Sequence, residues 1–305
     1  MNGTRIDRDG PRRPLAVITG IGSGIGLAAA AGILRAGFDV VGVVRNDNRA
    51  RETREVLLRE PCLRDGAAGL QFVCGDLSRR AEVDRVCDGI LALLAARGGG
   101  LDRLLYCAGT VTSRRVESEP GVETQFMVNH LAAFRMGLRL RDALAASGDG
   151  RLLVVSSCSH AIGLVRWRDP MMARGYGPAK AYMQSKLANV LFVHGFNRRL
   201  ASDRLRAFAV DPGLVDTDLG GKRTRGVFFR FWGFARRWGV SAEKGAATAV
   251  YLATAVPLPD SPWVYYKRFR PRMPGRRSRS TAAIDRMWAL SERFWEDSPE
   301  GRPMR

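Results

Sequence analysis

The chain has 305 residues, 46% of them hydrophobic, which is enough for a sizeable core and excludes wholesale disorder. A formal net charge of +19 raises nucleic acid, an anionic membrane surface or an acidic carrier as partners, beside a plain solvated Arg-rich surface. No helix-turn-helix, zinc-finger or RNP pattern accompanies that charge, so nucleic acid is not expected. Cys62, Cys74, Cys87, Cys107 and Cys158 are odd in number and lack Cys-x-x-Cys spacing, and His130, His160 and His194 form no cluster with them. These point to a reduced, cytoplasmic protein with no metal site. Residues 1–14 are polar without the apolar stretch of a signal peptide and are expected to be a disordered tail. No apolar run is long enough to span a bilayer, so any membrane association is expected to be peripheral.

Leu15 to Thr19 is a short apolar run of the kind found in buried parallel strands. It runs into Gly20-Ile21-Gly22-Ser23-Gly24-Ile25-Gly26 and then an Ala/Leu-rich helix, Leu27 to Ala36, closed by Gly37. Strand, glycine loop and helix form the context of a dinucleotide site. The glycines let the backbone approach a pyrophosphate, and the helix N-terminus offers free N–H groups. Thr19, Gly20, Ser23, Gly24, Ile25 and Gly26 are therefore candidate cofactor contacts. A second strand, Phe38 to Val44, ends at Arg45 and Asn46, where an acid would favour NAD and a basic group suits the 2′-phosphate of NADP. NADP(H) is favoured over NAD(H). Asp47 is expected to cap a helix from Asn48 to Arg59.

The third strand, Leu70 to Cys74, leads to Asp76 and Leu77. Asp76 either holds the adenine amino group, caps a helix from Ser78 to Arg97, or does both. The fourth strand, Leu101 to Cys107, continues into Ala108 and Gly109, whose small size admits a cofactor. A long helix, Glu123 to Ala146, carries Asn129, and a fifth strand, Arg151 to Val155, ends at Ser156-Ser157. In the helix Pro178 to Leu200, Tyr182 and Lys186 are four apart and share a face. An unperturbed phenol titrates near pKa ~10, so a neighbouring ammonium is the expected means of lowering it into useful acid–base range.

A sixth strand, Leu205 to Val210, precedes Asp211-Pro212-Gly213, with Val215 and Thr217 following. From Lys222 to Val240 the chain is basic and aromatic. A helix at Ala242 to Ala253, an edge strand at Trp263 to Tyr266, a basic loop at Lys267 to Ser280 and an amphipathic helix at Thr281 to Trp295 complete it. Strands alternating with helices predict an α/β protein with a single doubly wound parallel sheet over 15–260, and a C-terminal extension over 261–305.

Taken together, these motifs resemble the short-chain dehydrogenase/reductase family, whose fold is of Rossmann type. The Thr-Gly-x-x-x-Gly-x-Gly pattern falls at Thr19, Gly20, Gly24 and Gly26, and the adenine-side aspartate at Asp76. The helix asparagine falls at Asn129, the serine at Ser157, and the Tyr-x-x-x-Lys pair at Tyr182 and Lys186. Pro212 and Gly213 follow the sixth strand, with Thr217 where the nicotinamide amide is usually reached. Arg45-Asn46, Ser156-Ser157-Cys158-Ser159-His160 and Ser185-Lys186-Leu187-Ala188-Asn189 look like its retinol-dehydrogenase-like branch. The resemblance implies an oxidoreductase moving a hydride between NADP(H) and a carbonyl or alcohol, with Asn129, Ser157, Tyr182 and Lys186 as catalytic residues. It also implies a substrate lid over about 214–240, whose aromatics suit a retinoid, steroid, aldehyde or polyketide-like ketone. A homodimer through the helices 123–146 and 178–200 is the usual arrangement of the wider family, but the branch is not uniformly dimeric, so the resemblance leaves the oligomeric state open. One departure is that Tyr106-Cys107-Ala108-Gly109 stands where the family has Asn-Asn-Ala-Gly, so Cys107 replaces an asparagine that ties the sheet together beside the cofactor.

Overall fold

The computed structural model describes residues 12–66, 68–215, 240–258 and 260–296. Thr217 and the lid segment between 216 and 239 lie outside the described residues. The first strands are β1 (Leu15–Thr19), β2 (Asp39–Val44), β3 (Leu70–Cys74) and β4 (Arg103–Tyr106). A two-stranded hairpin of β5 (Glu117–Glu119) and β6 (Val122–Glu123) follows, and then β7 (Gly150–Val155), β8 (Leu205–Asp211), β9 (Tyr265–Lys267) and β10 (Arg270–Arg272). The main sheet runs β10-β9-β8-β7-β4-β1-β2-β3, with every pairing parallel except β9–β10. Strands buried on both faces need continuous apolar runs, and β1, β4 and β7 are buried along their whole length.

Flanking helices include α1 (Gly24–Arg35), α2 (Asp47–Leu57), α3 (Pro61–Arg64) and α4 (Arg80–Arg97). The long helix expected over 123–146 is instead a series. It comprises α5 (Thr124–Phe126), a π turn over Met127–Leu131, α6 (Ala132–Arg139) and α7 (Arg141–Ala145). The π turn is centred on Asn129, whose side chain is drawn out to the Thr110 backbone; its Oδ1 accepts from the Thr110 N–H at 2.7 Å and its Nδ2 donates to the Thr110 carbonyl at 3.1 Å. A π turn inside an α-helix commonly marks a working position. Pro178–Leu200 forms α8 as expected, with the proline in the first turn where its missing N–H costs nothing. Two further helices are α9 (Ala242–Thr254) and α10 (Thr281–Glu296).

The C-terminal segment differs from its sequence reading. The strand expected at the edge pairs on both sides, and the edge is β10, within the expected basic loop. Arg270-Pro271-Arg272 carries no strand-like pattern, yet an edge strand tolerates a proline because its outward side needs no donor. Beyond it, α10 lies across α8 and α6. Trp288 packs against the rings of Phe134 and Phe192 at 5.0 and 6.2 Å, and Trp295 Nε1 donates to the Leu131 carbonyl at 3.2 Å. At the other end, Arg12 of the expected tail reaches the Gly100 carbonyl and Asp102.

Candidate active site

A cleft of about 750 Å³ opens where β1, β2, β3 and β4 end, the side on which doubly wound sheets bind ligands. Every predicted cofactor residue from Gly20 through Gly109 lines it. The glycines have separate reasons to be there. Gly20 has φ +66°, and a Cβ on it would meet the Ala108 backbone at 2.9 Å. A Cβ on Gly26 would meet the Gly20 carbonyl oxygen at 2.3 Å, so the loop could not fold back onto α1. Ser23 occupies the N-cap of α1, yet its side chain makes no capping bond, which leaves the first-turn N–H groups facing the cleft for an anion. These features fit a dinucleotide pyrophosphate.

At the end of β2 the expected cap is corrected. Asn46, not Asp47, caps α2, with its Oδ1 accepting from the Arg49 N–H at 3.0 Å. The extended backbone falls at 46, and an asparagine caps as well as an aspartate. Arg49 is a further cleft residue outside the motif positions. It lines the cleft with Arg45, donates to the Gly22 carbonyl at 2.7 Å and pairs with Glu52 at 2.6 Å. Asp76 lines the cleft, but the expected cap is corrected: α4 starts at Arg80 with Arg79 at its N-cap, and Asp76 Oδ1 accepts from the Ser78 N–H at 3.0 Å in the turn before it. The substitution at Cys107 leaves the sheet tied. Thr19 Oγ1, fully buried, accepts from the N–H groups of Cys107 and Ala108 at 3.1 and 3.0 Å.

Beside this cleft, at the end of β7, the remaining candidates converge. Ser157 starts a 3₁₀ turn over Cys158–Ala161 and is hydrogen-bonded through its side chain to Tyr182. Lys186 Nζ lies 5.6 Å from the centre of the Tyr182 ring and donates to the Val155 carbonyl at 2.9 Å. Asn129 Nδ2 donates to Ser185 Oγ at 3.0 Å, tying the π turn to α8. Gly109 joins the two regions: a Cβ there would sit 3.4 Å from Asn129 Oδ1 and 3.9 Å from Lys186 Nζ.

Burial dominates the electrostatics. It pushes the Tyr182 phenol up to about 12, against the Ser157 hydrogen bond and with help from buried Asp211. It brings the Lys186 ammonium down to about 8. Burial thus sets the direction of the Tyr182 shift, opposite to the lowering expected from Lys186. Of the residues after β8, Gly213 has φ +79° and donates to Asp211 Oδ1 at 2.9 Å, while Val215 is buried against Gly245. Pro212, Gly213 and Val215 are not part of the cleft lining, and Thr217 lies outside the described residues.

A family model described as short chain dehydrogenase matches residues 14–227. The chain belongs to the short-chain dehydrogenase family. Mouse retinol dehydrogenase 14 is 32% identical over 250 residues, covering 78% of this chain and 72% of that protein. Mouse polyprenol dehydrogenase is 32% identical over 283 residues, covering 90% and 82%. An uncharacterized protein from Mycobacterium paratuberculosis has a similar structure, with a TM-score of 0.70, 28% identity and 93% of each chain covered. NADPH-bound carbonyl reductase from chicken fatty liver shares the fold at a TM-score of 0.59 and 20% identity, over 81% of this chain and 93% of that one. This short-chain dehydrogenase thus falls in the retinol-dehydrogenase-like branch, as an oxidoreductase acting on CH–OH groups. Among the described residues, no helix is long and apolar enough to cross a membrane.

Proposed function

We propose that this chain is an NADP(H)-dependent dehydrogenase/reductase of an apolar alcohol or carbonyl compound, with Tyr182 as its acid–base group. The observation that carries the reading is the buried meeting of Ser157, Tyr182 and Lys186 beside the glycine-lined cleft. When bound, the nicotinamide supplies or accepts the hydride. Tyr182, held protonated by its raised pKa, is ready to give its proton to a carbonyl oxygen. Ser157 hydrogen-bonds the same oxygen and stabilises the charge that develops on it. Lys186 would hold the cofactor ribose and, while charged, would favour the phenolate as the proton leaves. Asn129 holds the π turn against Thr110 and positions the water that resupplies protons to Lys186. Arg45 and Arg49, which both line the adenosine end of the cleft, support NADP over NAD. The relatives named for retinol and polyprenol support an apolar alcohol as substrate.

The dimer of the wider family uses the face of α6 and α8, and here α10 covers that face. That supports a chain that does not pair through it. The basic segments over 222–237 and 267–279 suit an anionic membrane surface or an acidic carrier, consistent with a cytoplasmic, peripheral enzyme. Salt-sensitive binding to anionic vesicles or to a carrier would support this.

The central test is a screen of aldehydes, ketones and alcohols following NADPH absorbance, paired with Tyr182→Phe. Turnover should fall by about 10²–10⁴-fold in the variant while NADPH still binds. Full activity in Tyr182→Phe would overturn the assignment. NADPH binding without turnover of any compound by the native chain would favour a non-catalytic NADP(H)-sensing regulator.

A further inference from the structure

A second cavity, of about 420 Å³, opens beside the turn that follows Ser157. Its floor is the 3₁₀ turn that begins at Ser157, and its wall is the β9–β10 hairpin with the loop that follows. Cys158 and His160 line the floor; Lys267, Arg268 and Arg272 line the wall. Among the described lining residues there is no carboxylate. Asp211, buried behind the wall, has its charge already committed. Its Oδ2 accepts from the Tyr265 hydroxyl at 2.7 Å and from Lys267 Nζ at 3.1 Å, and its Oδ1 from the Gly213 N–H. The side chains of Arg268 and Arg272 are exposed and have no hydrogen bond or ion pair among the described residues.

The cavity is built rather than incidental. His160 Nδ1 lies 2.7 Å from the Ser157 carbonyl and its Nε2 accepts from the Gly275 N–H at 3.0 Å, so one buried ring joins floor to wall. The tautomer follows, because a ring nitrogen facing a carbonyl must carry the proton. The Tyr265 ring packs against that imidazole at 4.6 Å. The turn that presents Arg268 is itself unusual. Arg268 and Phe269 both adopt left-handed backbone, with φ of +49° and +64°, in a two-residue hairpin turn that favours Asn-Gly. Side chains held in that region cost energy and gather where a ligand is clamped.

We infer that this cavity is an anion subsite, in which Arg268 and Arg272 receive a carboxylate or phosphate on the far end of the substrate whose carbonyl or alcohol meets Ser157 and Tyr182. The inference deepens the function proposed above and rests on it for the placement of the reacting end. Guanidinium groups suit planar bidentate recognition of these anions, and a water-accessible rim lets a charged terminus bind without full desolvation. The substrate is then amphiphilic, with an apolar body and a charged terminus, which a cavity of neutral residues would reject.

The test compares an ω-oxo fatty acid and an ω-oxo alkyl phosphate with the uncharged methyl ester of the same chain length. The native enzyme should prefer one or both anions over the ester in kcat/KM by about tenfold, the worth of a single charge-assisted hydrogen bond, and high salt should erode the preference. The carboxylate and phosphate arms identify which anion the site takes. In Arg268→Gln/Arg272→Gln the ratio should fall towards one. A ratio near one in the native enzyme, or a ratio untouched by the double substitution, would overturn the subsite. A second measurement separates it from the dehydrogenase reading: calorimetric binding of octanoate and octyl phosphate to the native chain and the double variant. Arginine-dependent binding with no turnover of any aldehyde would keep the subsite and sink the enzyme assignment. Binding that ignores the arginines would sink the subsite alone.

Discussion

The two sides of the active centre are built on opposite plans. The nucleotide cleft is walled by backbone and exposed polar groups, with Arg45 and the first-turn N–H groups of α1 turned toward the opening. The proton-transfer side is closed. Lys186, Asn129, Ser156 and Asp211 are all at least 95% buried, and their polar atoms are bonded to neighbours within the fold. A cofactor that comes and goes needs donors that water can satisfy in its absence. A phenol that must change protonation needs surroundings that do not relax around it, because preorganised groups stabilise charge without paying for reorientation. The contrast also explains the opposite pKa movements on the closed side: burial raises the acid and lowers the base, so both drift toward their neutral forms.

The open side should break first under charge substitution. Removing Arg45 should weaken NADPH relative to NADH by roughly 10–100-fold, the ~1.5–3 kcal/mol of a hydrogen bond to a charged group. Arg49→Ala should do more, weakening both cofactors, because its guanidinium also holds the Gly22 carbonyl. Fluorescence titration of the two cofactors separates the cases; an NADPH/NADH ratio unmoved by both substitutions would show that the 2′-phosphate sits elsewhere. The closed side should show itself in pH. Lys186 is charged below about 8 and loses its proton above it. Carbonyl reduction should therefore hold through neutrality and fall on an alkaline limb set by the lysine, with Lys186→Arg moving that limb upward. A limb that stays in place in Lys186→Arg would assign it to another group.

Legibility in the sequence divides along the same line. The cleft was readable because its parts are local: glycines at fixed spacing, a strand before and a helix after, each a few residues from the next. Strand β1 and helix α8 matched their expected bounds for the same reason. What escaped was assembled from distant pieces. The π turn at Asn129 depends on Thr110, and nothing in Met127–Leu131 itself announces a break from α-helix. β10 hid in an Arg-rich run because edge pairing demands little of the side chains. Arg49 could have been found, since it stands one turn past Arg45 at the start of α2, but only after Asn46 was known to be the cap. The direction of the Tyr182 shift is not legible in the spacing, which reports the charged neighbour and says nothing of how deeply both are buried.

The smallest effect on turnover, and the sharpest check on the closed side, lies at its outer boundary. His130 follows Asn129 in the π turn, and its ring is fully buried between α8 and α10. Nδ1 faces Asn189 Oδ1 at 3.3 Å and Nε2 faces Ser291 Oγ at 2.9 Å. Burial holds the ring neutral, with its pKa down to about 3, so one nitrogen donates and the other accepts. The nitrogen facing an amide oxygen is the donor, which leaves Nε2 to accept from the Ser291 hydroxyl, whose single hydrogen is shared with the Met287 carbonyl, also at 2.9 Å. Ser291→Ala would leave that lone pair buried and unpaired, at about 1–3 kcal/mol. Thermal unfolding should register roughly 2–4 °C for each kcal/mol lost, while turnover well below the transition stays near the native value. An unchanged Tm would mean that α10 is held by its Trp288 packing alone. A loss of turnover matching the loss of stability would instead make α10, through His130, a support for Asn129, and the closed side would extend as far as the C-terminal helix.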